Sequence, residues 1–450
     1  MQNGVKRIPG GVHPDPRKRT ENLETVVMPL PAEVVLPMQQ HIGAPCKPTV
    51  KKGDRVLVGQ VVGAPTDRLA VPIHASVSGT VKAVGPRLYA GGRHITSVQI
   101  ESDGEQTPDP AIAPITTRDP AEMIASVRDS GIVGLGGAGF PTWFKLTPPP
   151  GNTFDTLVVN GAECEPYITS DYREMVEDPM AIIRGIKLVQ LMTGIRRVLI
   201  GIEDNKARAI DRLIKASEQD PEIDVVTVRT RYPQGGERQL IYAVSGRIVP
   251  AGKLPSAVGV LVLSVNTVSS ITAWFETGMP LTSRRITCDG GVVAKPQNVR
   301  VPVGTRLGDV FDFCGGFTSH PAKVIMGGPM MGVSQFSLDN TVLKQTNALL
   351  ALAPSEINQE AESVCIRCSR CVTACPMQLM PSTMNRLILD GKSEEAAAVW
   401  HLNDCIECGC CSYVCPAARN LVQSFRYGKA EVRLAERRAA QAAAAAGKEK

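Results

Sequence analysis

The residues with the most definite chemistry lie between Cys365 and Pro416. The stretch reads CIRCSRCVTACP and, after an intervening segment, CIECGCCSYVCP. Each half is C-x2-C-x2-C-x3-C-P, the ligand spacing of a cubic iron–sulfur cluster, written twice. Three thiolates on one tight loop hold three corners of a [4Fe-4S] cube. The fourth, just before Pro, is expected at the start of a following helix and ligates the other cube. The spacing therefore predicts crossed sets: Cys365, Cys368 and Cys371 with Cys415, and Cys405, Cys408 and Cys411 with Cys375. Structural zinc prefers separated cysteine pairs, and nothing in the sequence reads as secreted, so zinc and disulfides are the weaker readings. Cys410 breaks the regularity and is read as a small packed non-ligand.

A second stretch of interest is GLGGAGFPTWFK. Gly134, Gly136 and Gly139 satisfy G-x-G-x-x-G. A dinucleotide fingerprint of this form follows a strand and opens a helix. Here a helix is predicted before it, and Pro141 sits where the next helix would begin, so the ordinary Rossmann reading fails. Glycines still let backbone N–H groups approach a phosphate or a flat ring, and Lys145 adds a charge. The bland alternative is a tight loop and nothing more.

These stretches need a scaffold. From 155 to 277, predicted strands (DTLVVN, RRVLIGIED, DVVTVRT, GVLVLSVNT) alternate with predicted helices (DPMAIIRGIKLVQLM, NKARAIDRLIKASE, ERQLIYAVS, SSITAWFE). That repetition implies a mainly parallel sheet with helices on its faces. Ligands then bind beyond the strand carboxyl ends, where NGAECEPY, PQGGERQ and the pair Asn266–Thr267 fall. A helix over DPAEMIASVRDSGIVG precedes this region, capped by Asp119 with Pro120 at its first position.

Further boundaries follow from composition. Residues 1–25 form a polar arm with a basic cluster, Arg17, Lys18 and Arg19, read as either a solvated arm or a docking segment. Residues 26–104 read as short strands, and KKGDRVLVGQVVG with VPIHASVSGTVKAV looks like a lipoyl- or biotinyl-type barrel-sandwich. Carriers of that kind bear a lysine on an exposed hairpin. The corresponding DRLAV, near Asp67 to Val71, has none, so a structural or docking role is expected. A Pro-rich linker leads to the α/β domain, 118–278. Residues 279–345 suggest a small β-rich domain with one short helix, in which GGPMMG reads as a packing loop. Residues 346–428 hold the cysteine motifs with one or two helices between them. The Ala-rich tail, 429–450, reads as helical or frayed, without chemistry.

The 450 residues are 43% hydrophobic and 21% charged, as for a folded globular protein, with a mild formal charge of +5. Aromatics are only 4% and no basic run interleaves with them, so nucleic acid is not an expected partner. Eight of 13 cysteines lie in the motifs; Cys46, Cys164, Cys288 and Cys314 are scattered, as in a reducing compartment. No signal peptide is evident, and the longest apolar run, 258–265, falls far short of the ~20 residues of a membrane helix.

Taken together, GLGGAGFPTWFK, NGAECEPY and the doubled cysteine motif resemble the RnfC component of the Rnf ion-translocating electron-transport complex over nearly the whole chain. The middle also resembles the flavin-carrying subunit of respiratory complex I. The resemblance implies a multidomain α/β chain: barrel-sandwich, Rossmann-like flavin domain, small SLBB-like β-grasp domain, and α-helical two-cluster ferredoxin domain. It implies FMN and NADH in the crevice, with Gly134, Gly136, Gly137, Gly139, Lys145, Asn160, Glu163, Gly236, Glu237, Asn266 and Thr267 around the flavin. Phe140 would face the adenine, and Glu165 and Glu237 would contact the nucleotide. Leu135, Ala162 and Arg238 depart from the complex I pattern, and that relative's own cluster motif is absent. The implied function is NADH oxidation through FMN and two [4Fe-4S] clusters. The implied partners are other subunits of a membrane complex, including an iron–sulfur subunit, with ferredoxin or flavodoxin as eventual redox partner. The implied location is peripheral, on the cytoplasmic face of the bacterial inner membrane. A soluble NADH:ferredoxin or hydrogenase-type flavoprotein subunit, and a non-catalytic docking scaffold, stay open beside it.

Overall fold

Four parallel strands, Thr156–Asn160, Arg197–Glu203, Ile223–Val228 and Val260–Ser264, form the central sheet of a computed structural model that describes residues 6–90 and 92–446. Their near-continuous Val, Leu and Ile suit a sheet covered on both faces. Thr156–Asn160 lies between Arg197–Glu203 and Val260–Ser264, so the chain winds one way and then the other from it. This is a topological switch point, and it opens a crevice beyond Asn160 and Ser264.

The flanking helices follow from local signals. Asp119 caps Pro120–Asp129, its carboxylate accepting from the N–H groups of Ala121 and Glu122, both at 3.0 Å; such a cap contributes about 1 kcal/mol. Pro179–Thr193 packs on Val265–Thr277 through Gly185, where an added Cβ would stand 2.2 Å from the Val268 carbonyl oxygen. Ile183, Ile186, Val268 and Ile271 bury there against Leu157 and Val159. Each fully buried chain of this size contributes roughly 1.5–3 kcal/mol. A helix not anticipated from the sequence, Ser170–Glu177, follows the loop 161–169. Asn266 and Thr267 lie beyond the carboxyl end of Val260–Ser264, as expected, in the first turn of Val265–Thr277.

Two small antiparallel sheets make the barrel-sandwich. One orders Glu33–Pro37, Arg93–Ser102, Gly79–Tyr89 and Arg55–Val56; the other orders Lys47–Pro48, Val61–Ala64 and Ile73–His74. They enclose Val34, Leu36, Val56, Val62, Val98 and Ile100. The stretch that carriers would present is not free: Ala70 and Val71 are buried, and Val71 joins the core of the flavin domain.

The β-grasp domain is a six-stranded mixed sheet with the helix Leu307–Phe313. Val26–Val27, grouped by sequence with the barrel-sandwich strands, pairs here instead, in parallel with Gln297–Pro302. The motif domain has helices Arg370–Ala374, Pro381–Leu389, Ser393–Ala398, Cys410–Tyr413 and Leu421–Ala446, closed on Met384, Leu387, Ile388, Leu421 and Phe425. Cys375 follows a short helix instead of opening the next one. Among the described residues no helix is long and apolar enough to cross a membrane.

Candidate functional site

The glycine loop lies across the switch point. The Gly134 N–H donates to the Phe140 carbonyl (2.7 Å), closing the turn on itself. The Leu135 N–H donates to Thr267 Oγ1 (3.1 Å), which also bonds Ser264 Oγ (2.8 Å). Leu135 is buried in the sheet core, so its side chain anchors the loop and does not line the crevice. Gly136 rests on Ser264, where a Cβ would come within 3.2 Å, whereas Gly137 faces open space and leaves bare backbone beside the crevice. At the loop's far end the Gly139 carbonyl accepts from the Ile42 N–H (3.1 Å). Arg68 stacks over the Phe144 ring at 5.8 Å, and Phe140 meets Phe144 edge-on at 5.9 Å. The barrel-sandwich thus steadies the loop from outside.

Three chain segments converge on this loop. Asn160, the last strand residue, donates to the Gly235 carbonyl (2.8 Å) and accepts from the Ala162 N–H (3.2 Å), joining the turn after the third strand to the loop after the first. Gly236 caps the helix Glu237–Ser245. Lys145 Nζ donates to Glu237 (2.9 Å) and to the Val262 carbonyl (3.4 Å). Asn266 bonds Asp171. Glu163 adopts a left-handed backbone, φ +49°. One of its carboxylate oxygens caps Ser170–Glu177, accepting from Asp171 N–H (2.6 Å) and Tyr172 N–H (3.3 Å). The other oxygen is buried without a partner. A flat ring carrying an N–H donor would satisfy it, and a bare glycine loop opposite a lysine suits the ring's phosphate. The residues therefore fit FMN.

One expected position, Glu165, turns away, and Arg238, noted as a departure from the complex I pattern, lies outside the crevice. The Glu165 carboxylate accepts from Met330 N–H (3.0 Å) and Met331 N–H (2.9 Å), so it clamps the GGPMMG loop. Burial pushes it up to about 7. Arg238 donates to the Lys253 and Pro250 carbonyls, outside the crevice. Burial likewise raises Glu163, opposed by Lys18, and raises Asp171. Lys18, Lys206, Glu203 and Asp171 were not singled out for this site by sequence reasoning. Lys206 Nζ pairs with Glu203 (3.2 Å), both buried below the loop. A charged residue at the carboxyl end of a predicted strand is the signal that marks Glu203 and Lys206; Lys18 carries no local signal, because its partners lie some 145 positions away.

The two cysteine motifs fold alike. Arg367 and Ser369 have φ of +56° and +60°, and their counterparts Glu407 and Gly409 have +55° and +81°. Cys375, Cys405, Cys408 and Cys411 line one cavity with Met377, Val422 and Phe425. Burial raises Cys411, and the charges of Cys405, Cys408 and Cys375 raise it further; Cys371 is raised by burial and by Cys415. Cys375, Cys405, Cys408 and Cys411 thus stand near one another, and Cys410 lines the same cavity. No three His, Cys, Asp or Glu side chains among the described residues converge on one ion-sized point. Four cysteines gathered at one cavity, in the spacing of a cubic cluster, are a donor set that fits a cube. Cys365 and Cys368 are exposed, whereas Cys408, Cys410 and Cys411 are buried. On the same cavity wall, Cys410 has its Sγ 3.8 Å from the Tyr232 carbonyl. The tail is not inert: Lys429 Nζ donates to the Cys405 carbonyl (2.6 Å) and to Glu407 (2.9 Å).

One turn belongs to both sites. The Tyr232 hydroxyl donates to the Cys408 carbonyl (2.7 Å), while three residues on, Gly235 N–H donates to Cys164 Sγ (3.3 Å) and its carbonyl accepts from Asn160. Gln239 bonds Met377 Sδ (3.1 Å) on the cavity wall. Cys164, Tyr232, Cys408 and Cys410 share a small core.

Comparison with known proteins agrees with this geometry. Family models match in chain order: the RnfC barrel sandwich hybrid domain over 6–105, the Nuo51 FMN-binding domain over 127–273, the SLBB domain over 285–334 and the 4Fe-4S dicluster domain over 357–416. The chain is 46% identical over 441 residues to the C component of the Na+-translocating ferredoxin:NAD+ oxidoreductase complex of Acetobacterium woodii, covering 95% of this chain and 97% of that one. It is 42% identical to the proton-translocating counterpart of Clostridium ljungdahlii, covering 96% of each. It is 39% identical to the C component of the ion-translocating oxidoreductase complex of Rhodobacter capsulatus, covering 94% and 83%. A solved NAD+-reducing [NiFe]-hydrogenase shares the fold, with a TM-score of 0.51 at 18% identity over 68% of this chain and 63% of that one. The domain content and the fit of the residues assign FMN and two [4Fe-4S] clusters as the cofactors.

Proposed function

The chain belongs to the RnfC family, the C components of ion-translocating ferredoxin:NAD+ oxidoreductase complexes, and from that premise we propose that it is the NADH-oxidising peripheral subunit of such a complex, on the cytoplasmic face of the membrane. When bound, the flavin exchanges a hydride's two electrons with NADH and passes them singly to the cubes. The chain's own work is positioning. Gly137 backbone and Lys145 hold the flavin phosphate, and Asn160 with Gly235 and Gly236 fixes the ring edge. Phe140 supplies the aromatic face for the adenine, and Glu237 meets the nucleotide. No side chain is asked to act as acid or base.

The turn 232–236 carries the reading, because it bonds Asn160 at the crevice and the carbonyl of Cys408 at the thiol cavity. Cys375, Cys405, Cys408 and Cys411 would hold the cube next to the flavin crevice, which would take single electrons from that side. Cys365, Cys368, Cys371 and Cys415 would hold the exposed cube, on the side open to an iron–sulfur subunit, with ferredoxin or flavodoxin as the eventual redox partner. Titration of the reconstituted chain with NADH, recording flavin absorbance and cluster paramagnetism together, tests this. We expect flavin bleaching followed by reduction of both cubes. FMN that binds but is not bleached by NADH would refute it.

A further inference from the structure

Segment 6–20 supplies no thiol and no glycine loop, yet it touches both sites. The Gly11 N–H donates to the Ala374 carbonyl (2.9 Å), and Val12 exchanges two hydrogen bonds with Tyr232 (2.8 and 3.0 Å). Gly10, at φ +55°, lies flush against the cysteine loop; a Cβ there would stand 2.4 Å from the Cys375 carbonyl oxygen. Further along, Lys18 Nζ is buried and donates to the carbonyls of Glu163 (2.9 Å), Glu165 (2.8 Å) and Ile168 (2.5 Å). The Tyr167 N–H donates to the Pro16 carbonyl (2.9 Å). Arg19 bonds Asp289 and the Gly290 carbonyl (2.9 Å), fastening the same segment to the β-grasp domain.

A buried ammonium is tolerated only when its protons are used, and here all three are. Three carbonyls of one loop converge only if that loop takes one shape. This loop includes Glu163 and Tyr167 in left-handed conformations, φ +49° and +67°, which cost about 1 kcal/mol or more each for non-glycine residues. Lys18 therefore holds a shape that the loop would leave on its own.

We propose that residues 8–20 are an intrachain strap that sets the separation between the flavin crevice and the buried cube. Lys18 is a positioning residue for loop 161–169, and Gly10 seats the strap on Cys375. The inference rests on the electron route above. In the step it governs, one electron leaves the reduced flavin and enters the buried cube, with no bond made or broken at the strap. Transfer between fixed centres falls steeply with distance, so a slack strap shows in that step first.

The test uses the full chain loaded with FMN and both cubes, carrying Gly10→Ala, Val12→Pro or Lys18→Met. Two quantities are read: amide hydrogen exchange, and cube paramagnetism after light-driven reduction of the flavin with EDTA. Light makes the result independent of NADH, so a failure of NADH to reduce the flavin counts against the proposed function and leaves this test intact. We expect Gly10→Ala to speed exchange over 372–378 and to slow cube reduction at least ~10-fold, with FMN content and both cube signals retained. Val12→Pro acts in the same direction and is read if Gly10→Ala loses a cube. Lys18→Met should speed exchange over 161–169 and weaken FMN retention about 10-fold. Wild-type exchange or wild-type transfer in Gly10→Ala and Val12→Pro overturns the proposal. So does loss of a cube in both, which would make the segment an assembly element, and so does unchanged FMN retention in Lys18→Met.

Discussion

The halves of the cysteine domain share a backbone and differ in what surrounds it. CIRCSRC and CIECGCC put left-handed residues at the same places. Where the first half has Ser369 and Arg370 in solvent, the second has Gly409 and Cys410 against other domains. Gly409 lies under the GGPMMG loop, where a Cβ would be 2.9 Å from the Met330 carbonyl oxygen. Cys410 lies on the Tyr232 carbonyl. The extra thiol is thus a small residue demanded by a close interface. One half is shaped to face the flavin domain and the other to face outward.

Substitutions that separate the halves should rank accordingly. Cys408→Ser should abolish NADH-driven reduction of any acceptor beyond the flavin, by ~100-fold or more, while NADH still bleaches FMN; stopped-flow absorbance checks this, and full transfer would erase the proposed order. Cys368→Ser should remove one paramagnetic signal and leave the buried cube reducible by NADH; loss of both signals would break the distinction. Gly409→Ser should destabilise by about 1–2 kcal/mol, with Ser369→Gly near neutral, measured as thermal midpoints; equal effects would show that the interface is not what separates the two positions. The smallest effect concerns the clamp on the buried side. Glu165 is raised from 4.5 to about 7. Below the lower value both folded and unfolded carboxyls are protonated. Between the two only the unfolded one ionises, so stability falls as pH rises across that window and levels off above 7. Glu165→Gln should flatten this by a few degrees in Tm, followed by scanning calorimetry; an unchanged slope removes Glu165 as its source.

Much of this was legible in the residues. The alternation of apolar strands and amphipathic helices places the parallel sheet, because period and length are local properties. The cysteine spacing yields the crossed sets as an expectation, because ligand spacing is also a local property. What sequence could not supply was long-range contact. Lys18 reads as part of a basic surface cluster, yet it is half-buried, with its ammonium bonded to a loop far along the chain. Glu165 looks like one of two equivalent acids in NGAECEPY, but only the fold shows it turned to Met330 and Met331. Val26–Val27 joins a distant sheet because parallel pairing has no turn to announce it.

Val422 and Phe425, from the long C-terminal helix, roof the cavity of Cys375, Cys405, Cys408 and Cys411. A cube held there would lie under buried side chains, while one held by Cys365 and Cys368 would have thiolates in solvent. The two sites should therefore differ in how fast a chelator strips them, the outer before the inner, and equal rates of loss would show that this cover does not protect the inner site.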